Sequence, residues 1–455
     1  MAITFIMENV EDRVQRLNSA PFRADARYVL YWAQVNRRVS FNHGLAYAVG
    51  MANQAGLPVL FYEGLTFDYP YASERFHTFI QQGVPDTQAE LRRLGVGYVF
   101  HQRHRREDRN DILYRMAKGA AAIVTDDYPL FPAKRYNASA PAKLDIPYYA
   151  VDSSCIVPMS CFEKREYAAY TIRPKIKRLL PAYLKPVPPI RVQNKFRGSI
   201  PHFPAGSAGV DPSIRPSPVY RGGARAAHRR LQHFLKHNLH RYANLSGQPA
   251  ENATSGLSPY LHFGHISSLE IALTVEEYAR EHKLIADDFL EELIVRRELA
   301  FNFARFAEDP ESLESLPNWA RATLAKHARD KRNPVYTREQ FERALTHDPL
   351  WNAAQKELLI TGKIHGYYRM YWGKKILEWS ATPEAALATA IYLNDRYALD
   401  GRDPNSYTNI LWCFGLHDRP WVERPIFGQV RYMSYEGMRR KTDVDAYIRG
   451  IECLE

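Results

Sequence analysis

The sequence predicts two differently built parts, an α/β domain with a parallel sheet and flanking helices and then an all-α domain. Between Tyr28 and Pro158, short apolar runs alternate with helical segments, an order typical of a parallel sheet covered by helices. Beyond about Gly223, helical patterns dominate to the end. The 455 residues also exceed the size of one ordinary domain, so two domains are expected.

Five strands are predicted in the first part, since each candidate is a short apolar run: Tyr28–Gln34, Pro58–Tyr62, Gly97–Gln102, Ala121–Thr125 and Pro147–Val151. The amphipathic stretches His43–Ala55 and Thr87–Leu94 are expected to form helices between them. This layout is Rossmann-like. No G-x-G-x-x-G follows the first strand, so a dinucleotide site of the usual Rossmann kind is not indicated.

A linker is predicted at residues 185–223, because this stretch is crowded with Pro and Gly and lacks periodicity. The predicted domains are therefore 1–184 and 224–455. The first would be the α/β domain and the second the helical domain.

The charge balance favours a polyanionic partner. Lys and Arg number 61 and Asp and Glu 50, which gives a net charge of +11 and a pI near 9.3. A basic enzyme without such a partner remains the alternative on charge alone. The aromatic content of 13% suggests planar ligands or dense aromatic packing.

The cysteines and histidines do not indicate a metal site. None of the four cysteines forms a C-x-x-C pair, so neither a zinc site nor a disulfide framework is expected. His262 and His265 are spaced i to i+3, but no third ligand follows at a recognisable spacing. We expect no metal.

The location predicted from the sequence is intracellular. The first residues, MAITFIMENVEDR, lack the apolar run and charges of a signal peptide, and no run of 18 apolar residues predicts a membrane span. Reduced cysteines fit the same prediction. The compartment would be the cytoplasm in a bacterium or archaeon and the nucleus in a eukaryote.

The stretch from Asp348 to Trp379 predicts a helical hairpin that gathers three tryptophans. Asp348 and Pro349 are a helix-start signal, and Gly362 breaks the pattern. Trp351 lies 11 residues before this Gly and Trp372 lies 10 after it, so antiparallel helices would place both indoles at one height. Trp379 is two turns beyond Trp372, on the same face. Three core aromatics would be the alternative interpretation.

Five blocks resemble the class II cyclobutane pyrimidine dimer photolyases of the photolyase/cryptochrome family. They are SGLSPYLHFGHIS, EELIVRRELAFNF, IHGYYRMYWGKKILEW, YLNDRYALDGRDPNSY and HDRPWVERPIFGQVRYMSYEG, and they cover most of residues 240–440 in the same order. The resemblance implies a fully reduced FAD as cofactor. It also implies that the α/β domain can hold an antenna chromophore such as a deazaflavin.

The FAD diphosphate would be held by a small-residue loop. Hydroxyl groups and a Gly let backbone N–H groups approach an anion, and the resemblance assigns this cradle to Ser255, Gly256, Leu257 and Ser258. By residue pattern alone, Ser258 could be an ordinary N-cap with Pro259 at the first helical position. The stretch Leu231–Arg241 reads as a basic helix, and the resemblance places Tyr242 behind it on the FAD phosphates.

The resemblance assigns electron transfer and flavin tuning to a further set of residues. Trp372 would lie nearest FAD, then Trp351, then Trp379 toward solvent, as a relay for photoreduction. Asn394 would face flavin N5, and an amide can present either O or N there. Arg369 is expected to pair with Asp400 beside the flavin ring, with Asp403 and Asn405 contacting FAD from the same loop. A turn with capping acids is the alternative for that loop, and a divalent metal there is only weakly indicated.

Substrate contacts follow from the same resemblance. The stretch Leu290–Phe306 is predicted to form a long helix, on which Glu298 lies beside the apolar stripe. The resemblance makes Glu298 the carboxyl that hydrogen-bonds the flipped dimer. The alternative is that Glu298 pairs with other side chains. Met370 and Trp412 would line the dimer pocket. Arginines near the end of the chain would contact DNA phosphates, chiefly Arg419, Arg431 and Arg440.

The predicted function is light-driven repair of cyclobutane pyrimidine dimers in double-stranded DNA by a monomeric enzyme. The alternatives are a cryptochrome-like photoreceptor without repair, a non-catalytic basic nucleic-acid-binding protein, and a photolyase of the (6-4) type. The last is disfavoured because the blocks match class II.

Overall fold

The structure, a computed structural model, describes residues 10–108, 110–198 and 209–454. The first nine residues, on which the prediction of no signal peptide depends, and residues 199–208 of the predicted linker lie outside the described residues.

A six-stranded sheet forms the core of the first part, in the order β1-β6-β5-β2-β3-β4. All neighbouring strands are parallel except β1, which pairs antiparallel with β6. The strands are β1 Val14–Arg16, β2 Tyr28–Ala33, β3 Val59–Leu65, β4 Gly97–Gln102, β5 Ala120–Asp126 and β6 Tyr148–Val151. The five predicted strands are confirmed. Strand β1 was missed because its three residues, VQR, carry no periodic signal.

Helices cover both faces of the sheet, so its central strands are buried on both sides, as expected for a parallel sheet. These helices are α1 His43–Ala55, α2 Glu74–Gln81, α3 Val84–Leu94, α4 Ile112–Ala117, α5 Ala133–Ser139 and α6 Ala169–Tyr183. The predicted helix Thr87–Leu94 begins three residues earlier, at Val84, with Pro85 in its first turn.

The second part is helical, as predicted. Its helices are α7 Ala224–His237, α8 Tyr242–Leu245, α9 Ser258–His262, α10 Ser268–His282, α11 Asp287–Leu290, α12 Arg297–Phe306, α13 Asn318–Lys326, α14 Arg338–Glu342, α15 Pro349–Thr361, α16 Gly366–Trp379, α17 Pro383–Tyr397, α18 Pro404–Trp412, α19 Tyr435–Lys441 and α20 Val444–Glu452. The predicted basic helix Leu231–Arg241 is wrong in its bounds, since α7 ends at His237 and a short 3-10 turn follows.

The predicted hairpin is formed by α15 and α16. The Asp348 side chain accepts a hydrogen bond from the Trp351 backbone N–H at 2.8 Å, and Pro349 occupies the first turn. Gly362 ends α15 at φ +80°, a conformation that favours glycine. These local signals position the two helices that carry all three tryptophans.

The predicted helix over Leu290–Phe306 is continuous but contains one π-helical stretch. Glu291–Arg296 joins α11 to α12 with π-type hydrogen bonding. A π segment accommodates an extra residue within a helix and often occurs at functional sites. It therefore sets which of the following side chains face the first part of the chain.

Arg75 links the α/β part to the helical part through hydrogen bonds. Arg75, 2% exposed on α2, donates to the carbonyls of Leu358 and Leu359 at 3.1 and 2.5 Å and to Tyr397 at 2.9 Å. Its Nε donates to Arg215 at 2.9 Å. A guanidinium at the C-terminus of α15 satisfies carbonyls that the helix leaves free and complements the helix dipole. The helix that carries Trp351 is thus anchored to the α/β part.

Candidate functional site

Three indoles form a continuous row inside the helical part. Trp351 lies between the other two, with ring centroids 6.4 Å from Trp372 and 6.4 Å from Trp379. The first pair is nearly parallel, with an interplanar angle of 4°, and the second is inclined at 66°. The predicted seam is present, and Trp351 occupies the middle place that the resemblance gives it.

Hydrogen bonds fix the orientation of the two innermost indoles. The Trp351 Nε1–H donates to the Trp372 carbonyl at 3.0 Å, and the Trp372 Nε1–H donates to Gln355 Oε1 at 2.9 Å. Gln355 is fully buried and lies one turn after Trp351 on α15. Because a buried indole N–H needs an acceptor, Gln355 sets the position of Trp372. This residue was not predicted from the sequence, although its i+4 spacing from Trp351 places it on the same helix face.

A buried cluster of donors surrounds Asp400. Arg369 Nη2 donates to Oδ1 at 2.8 Å, while Ser258 Oγ and Lys363 Nζ donate to Oδ2 at 2.7 and 3.2 Å. Burial alone would raise the pKa of Asp400, but the charges of Arg369 and Lys363 hold it well below its usual value. The pairing predicted for Arg369 and Asp400 is present. Ser258 donates to Asp400 and makes no side-chain N-cap bond, so the N-cap alternative for it is wrong.

This cluster fits an anionic ligand such as the diphosphate of FAD. Two cationic side chains face a single carboxylate, and Arg369 Nε is buried without a hydrogen-bond partner among the described residues. Gly256 adopts φ +65° in the preceding loop, and the Leu257 N–H bonds Ser255 Oγ at 3.4 Å. Ser255 and Gly256 therefore lie directly before the helix that carries Ser258. Lys363 was missed, although it follows the predicted helix end at Gly362.

Asn394 lies buried on α17. Its Nδ2 donates to Asp395 Oδ1 at 3.1 Å and to Ser406 Oγ at 2.9 Å. The amide orientation is thereby fixed, because both donor bonds use the nitrogen. Its predicted place opposite flavin N5 stays a prediction.

Asp403 caps α18, as the capping alternative predicted. Its Oδ1 accepts from the N–H and side-chain amide of Asn405 at 2.9 and 2.8 Å, while its Oδ2 accepts from Tyr128 at 3.0 Å and contacts His262 Nδ1 at 3.3 Å. Burial raises the pKa of Asp403, whereas the contact with His262 lowers it. The net result is a pKa below the usual value for an aspartate. These bonds join the loop to the α/β part. Contacts of Asp403 and Asn405 with FAD stay predictions.

Tyr242 is half-buried between two helices. Its ring contacts Phe234 and Phe289 edge-on, at centroid distances of 5.7 and 5.4 Å. Burial raises the pKa of its phenol well above the usual value. Its predicted contact with the FAD phosphates stays a prediction.

Met370 and Trp412 are both half-buried and lie on the neighbouring helices α16 and α18. Cys413, which follows Trp412, places its Sγ 3.6 Å from the Met370 carbonyl. The Arg296 guanidinium lies over the Trp412 ring at 5.4 Å, and its Nε is 3.6 Å from Glu291 and 4.0 Å from Glu292. The structure thus brings an indole, an arginine and a carboxylate together, with Met370 on the neighbouring helix α16.

Glu298 lies elsewhere, at the contact between the two parts. It is 3% exposed, and its Oε1 accepts the backbone N–H groups of Ile156 and Val157 at 2.7 and 3.1 Å. Burial raises the pKa of Glu298 to about 8. Glu292 is more exposed, at 59% of its side chain, and lies beside Arg296. The dimer contact of Glu298 stays a prediction, and Glu292 is a second candidate that was not predicted from the sequence.

Two of the three predicted DNA-contact arginines lie around an exposed tryptophan. Arg419 and Arg431 stack on the Trp421 ring, 5.0 and 5.2 Å from its centroid. Trp421 is 39% exposed and Val422 84% exposed. Arg440 is exposed in the last turn of α19. Cations around an exposed ring are suited to phosphates and bases.

A cavity of about 580 Å³ opens at the carboxyl ends of the parallel strands. Its aromatic lining includes Trp32, Tyr62 and Tyr136, and its cations include Arg135 and Lys143. In open α/β sheets, ligands bind in this crevice. A site at this edge follows from the sheet order, but its lining could not be predicted because it comes from residues far apart in sequence, among them His262 and Arg402.

The described residues contain no group of three or more His, Cys, Asp or Glu side chains arranged to hold a metal ion. Within the same ranges, none of the helices has the length and apolar character needed to cross a membrane.

Comparison with known proteins identifies the class. A profile described as DNA photolyase matches residues 29–192. The deoxyribodipyrimidine photo-lyase of Methanothermobacter thermautotrophicus is 41% identical over 456 residues, which cover 97% of this chain and 98% of that protein. The enzymes of the same name from Arabidopsis thaliana and Potorous tridactylus are each 37% identical, covering 94% and 93% of this chain and 89% and 81% of theirs. The identity to these relatives over nearly the whole chain thus shows an enzyme of the photolyase type.

Solved structures share the fold at low identity. The Synechocystis cryptochrome superposes with a TM-score of 0.73 at 16% identity, covering 95% of this chain and 89% of its own. The class III photolyase from Agrobacterium tumefaciens gives 0.70 at 16%, covering 94% and 86%. The chain belongs to the photolyase/cryptochrome family.

Proposed function

We propose that this protein is a class II photolyase that repairs cyclobutane pyrimidine dimers in DNA under blue light. The relatives named deoxyribodipyrimidine photo-lyase support this proposal, since they match nearly the whole chain. The observation that carries the mechanism is the arrangement on α16. Arg369, which pairs with the buried Asp400, lies one turn before Trp372, the inner end of the indole row.

FAD, when bound and fully reduced, supplies the excited electron that splits the dimer. The protein's own residues bind the cofactor, orient it and shield it from water. Arg369 and Lys363 provide positive charge beside the cofactor, Ser255–Ser258 provide backbone donors, and a buried site strengthens each of these interactions by excluding water. The indole row provides the path for an electron arriving from the surface.

The dimer would enter beside Trp412, Arg296 and Glu292, with Met370 on the neighbouring helix α16. Extruding a nucleotide costs a few kcal/mol, and less for a poorly stacked lesion. An indole and a thioether can replace the lost stacking. Arg419 and Arg431 would contact the neighbouring phosphates, and Trp421 between them would fill the gap left in the duplex.

The cavity in the α/β part would hold a second, light-harvesting chromophore. Its aromatic walls suit a planar ring system, and its cations suit a ligand with negative charge, such as a deazaflavin. A related solved structure from Sulfolobus tokodaii, with a TM-score of 0.66 at 18% identity over 93% of this chain and 89% of its own, holds two FAD molecules that are described as implying a light-harvesting cofactor.

Two measurements test the proposal. The purified protein should show flavin absorption, and its chemically reduced form should restore dimer-containing duplex DNA under blue light but not in darkness. A flavin-bearing protein that repairs nothing would favour a photoreceptor. A protein without flavin would favour a non-catalytic nucleic-acid binder.

The antenna assignment has a separate test. Chromophores extracted from wild type should include a second species besides FAD, and Arg135→Glu with Lys143→Glu should lose it while FAD content is kept. Equal amounts of the second species in both proteins would refute its place in the cavity.

A further inference from the structure

The outer end of the indole row does not stop at Trp379. The rings of His347 and Tyr336 pack on Trp379 at centroid distances of 4.8 and 5.9 Å. Both distances are shorter than the 6.4 Å that separates neighbours within the row. Trp379 itself is only 4% exposed, whereas Tyr336 is half-buried and His347 exposed. The tyrosine and histidine thus connect a buried indole with solvent.

The phenol and imidazole are hydrogen-bonded as a donor and a base. Tyr336 Oη and His347 Nδ1 are 2.8 Å apart, and the backbone N–H of His347 donates to the same phenol oxygen at 2.9 Å. In the His347 tautomer with hydrogen on Nε2, Nδ1 accepts from the phenol O–H while the phenol oxygen accepts the backbone N–H.

We propose that Tyr336 is the terminal electron donor of the row and that His347 accepts its proton. The proposal rests on the indole relay proposed above. One electron passes from the Tyr336 phenol to the Trp379 radical cation, which returns to a neutral indole. The phenolic O–H bond breaks and an Nδ1–H bond forms, so a neutral tyrosyl radical and an imidazolium remain. The exposed imidazolium then releases a proton to water.

Charge near Trp379 favours this outward step. Lys375 Nζ lies 5.4 Å from the Trp379 ring centroid, and a positive charge there destabilises an indole radical cation. Glu378, 2.6 Å from the same Nζ, offsets part of this effect. Moving the electron hole to Tyr336 with loss of the proton leaves no charge on the aromatic ring, so the repulsion is relieved. A neutral radical separated from the flavin by three indoles also recombines slowly.

Flash spectroscopy of the flavin-loaded protein tests the step. In wild type, the absorption of a tryptophan radical should give way to that of a tyrosyl radical, and this conversion should slow in D₂O. Tyr336→Phe should abolish the tyrosyl signal and make the charge-separated state recombine several-fold faster. His347→Phe keeps an aromatic ring on Trp379 but removes the base, so tyrosyl formation should slow several-fold.

Controls separate this proposal from the relay and from misfolding. Tyr432→Phe changes a partly buried tyrosine that packs on Phe427 nearby and should behave as wild type. Repair by the chemically reduced Tyr336→Phe protein should be unchanged, which shows an intact fold. A tryptophan radical without any dependence on Tyr336 would overturn only the terminal donor. Absence of a tryptophan radical in wild type would overturn the relay with it.

Discussion

Trp351 and Trp372 stack with their planes 4° apart, and the indole N–H of Trp351 donates to the backbone carbonyl of Trp372 at 3.0 Å. The two helices of the hairpin are therefore locked together at the point where the two rings overlap. Any electron that reaches Trp372 from the outer end of the row passes through Trp351 first, since Trp351 also contacts Trp379.

Trp372→Phe should block photoreduction of the flavin and spare repair by chemically reduced enzyme. The phenyl ring is much harder to oxidise than indole, so the first step of the relay is lost. The change also leaves Gln355 Oε1 unpaired, which should lower the free energy of unfolding by about 1–3 kcal/mol. Flavin absorption under continuous blue light with an external reductant measures the first effect, and urea unfolding the second.

Trp319→Phe is the matched control for this change. Trp319 lies outside the row, where its indole N–H donates to Tyr167 at 3.1 Å. The flavin of the Trp319→Phe protein should be photoreduced at the wild-type rate. If Trp372→Phe photoreduced equally well, the relay would be wrong.

The hairpin shows how much of the site local sequence signals could predict. Asp348, Pro349 and Gly362 fix where α15 begins and ends, and the spacing of the tryptophans follows from helical geometry. The five parallel strands were equally readable, since each is a short apolar run between helices.

Contacts between residues that only tertiary packing brings together could not be predicted from such local signals. The π segment Glu291–Arg296 changes the side-chain directions of the helix around Glu298, and no pattern in the sequence marks it. The contacts of Arg75 with α15 and of Glu298 with Ile156 join positions more than a hundred residues apart. Periodicity carries no information about such pairs.

Glu292 and Glu298 should respond differently to substitution. Glu292→Gln should lower repair yield at unchanged flavin content, because its carboxyl lies beside Arg296 and the Trp412 region. Glu298→Ala should reduce flavin content and stability together, since two buried backbone N–H groups lose their acceptor, at about 1–3 kcal/mol each. Repair yield per bound flavin is the deciding measurement.

The dimer contact predicted for Glu298 would be supported by the opposite result. If Glu298→Ala kept its flavin but lost repair, while Glu292→Gln repaired normally, Glu298 would be the carboxyl that faces the dimer.

Glu298 should also make stability depend on pH. Its pKa in the folded protein is raised to about 8, and a glutamate in the unfolded chain titrates near 4.3, an approximate reference value. The folded state therefore holds a proton that the unfolded state has released between these values. Stability contributed by this group is fully present below the unfolded pKa and is lost as pH rises toward 8. The loss should be roughly 4–5 kcal/mol over that window.

Glu298→Gln removes the titration but keeps the Oε1 acceptor. Urea unfolding at several pH values between about 4 and 9 should show a smaller decline of stability in this variant than in wild type. Asp400 acts in the opposite sense, since its depressed pKa stabilises the fold above its unfolded pKa and this stabilisation is lost at acid pH. Identical slopes in wild type and Glu298→Gln would show that Glu298 is ionised in the folded protein.

Arg419 and Arg431 should account for part of the salt dependence of DNA binding. If each neutralises one phosphate, the slope of log K against log salt should become shallower by about 0.9 for each arginine replaced by Gln. Fluorescence anisotropy of dimer-containing duplex at several salt concentrations measures this slope. Lys118→Gln, an exposed cation at the end of α4 in the α/β part, serves as the control and should leave the slope unchanged. Trp421→Ala should weaken binding without changing the slope, because stacking releases no counterions. If the slope were unchanged in both arginine variants, the DNA would bind on a different face of the protein.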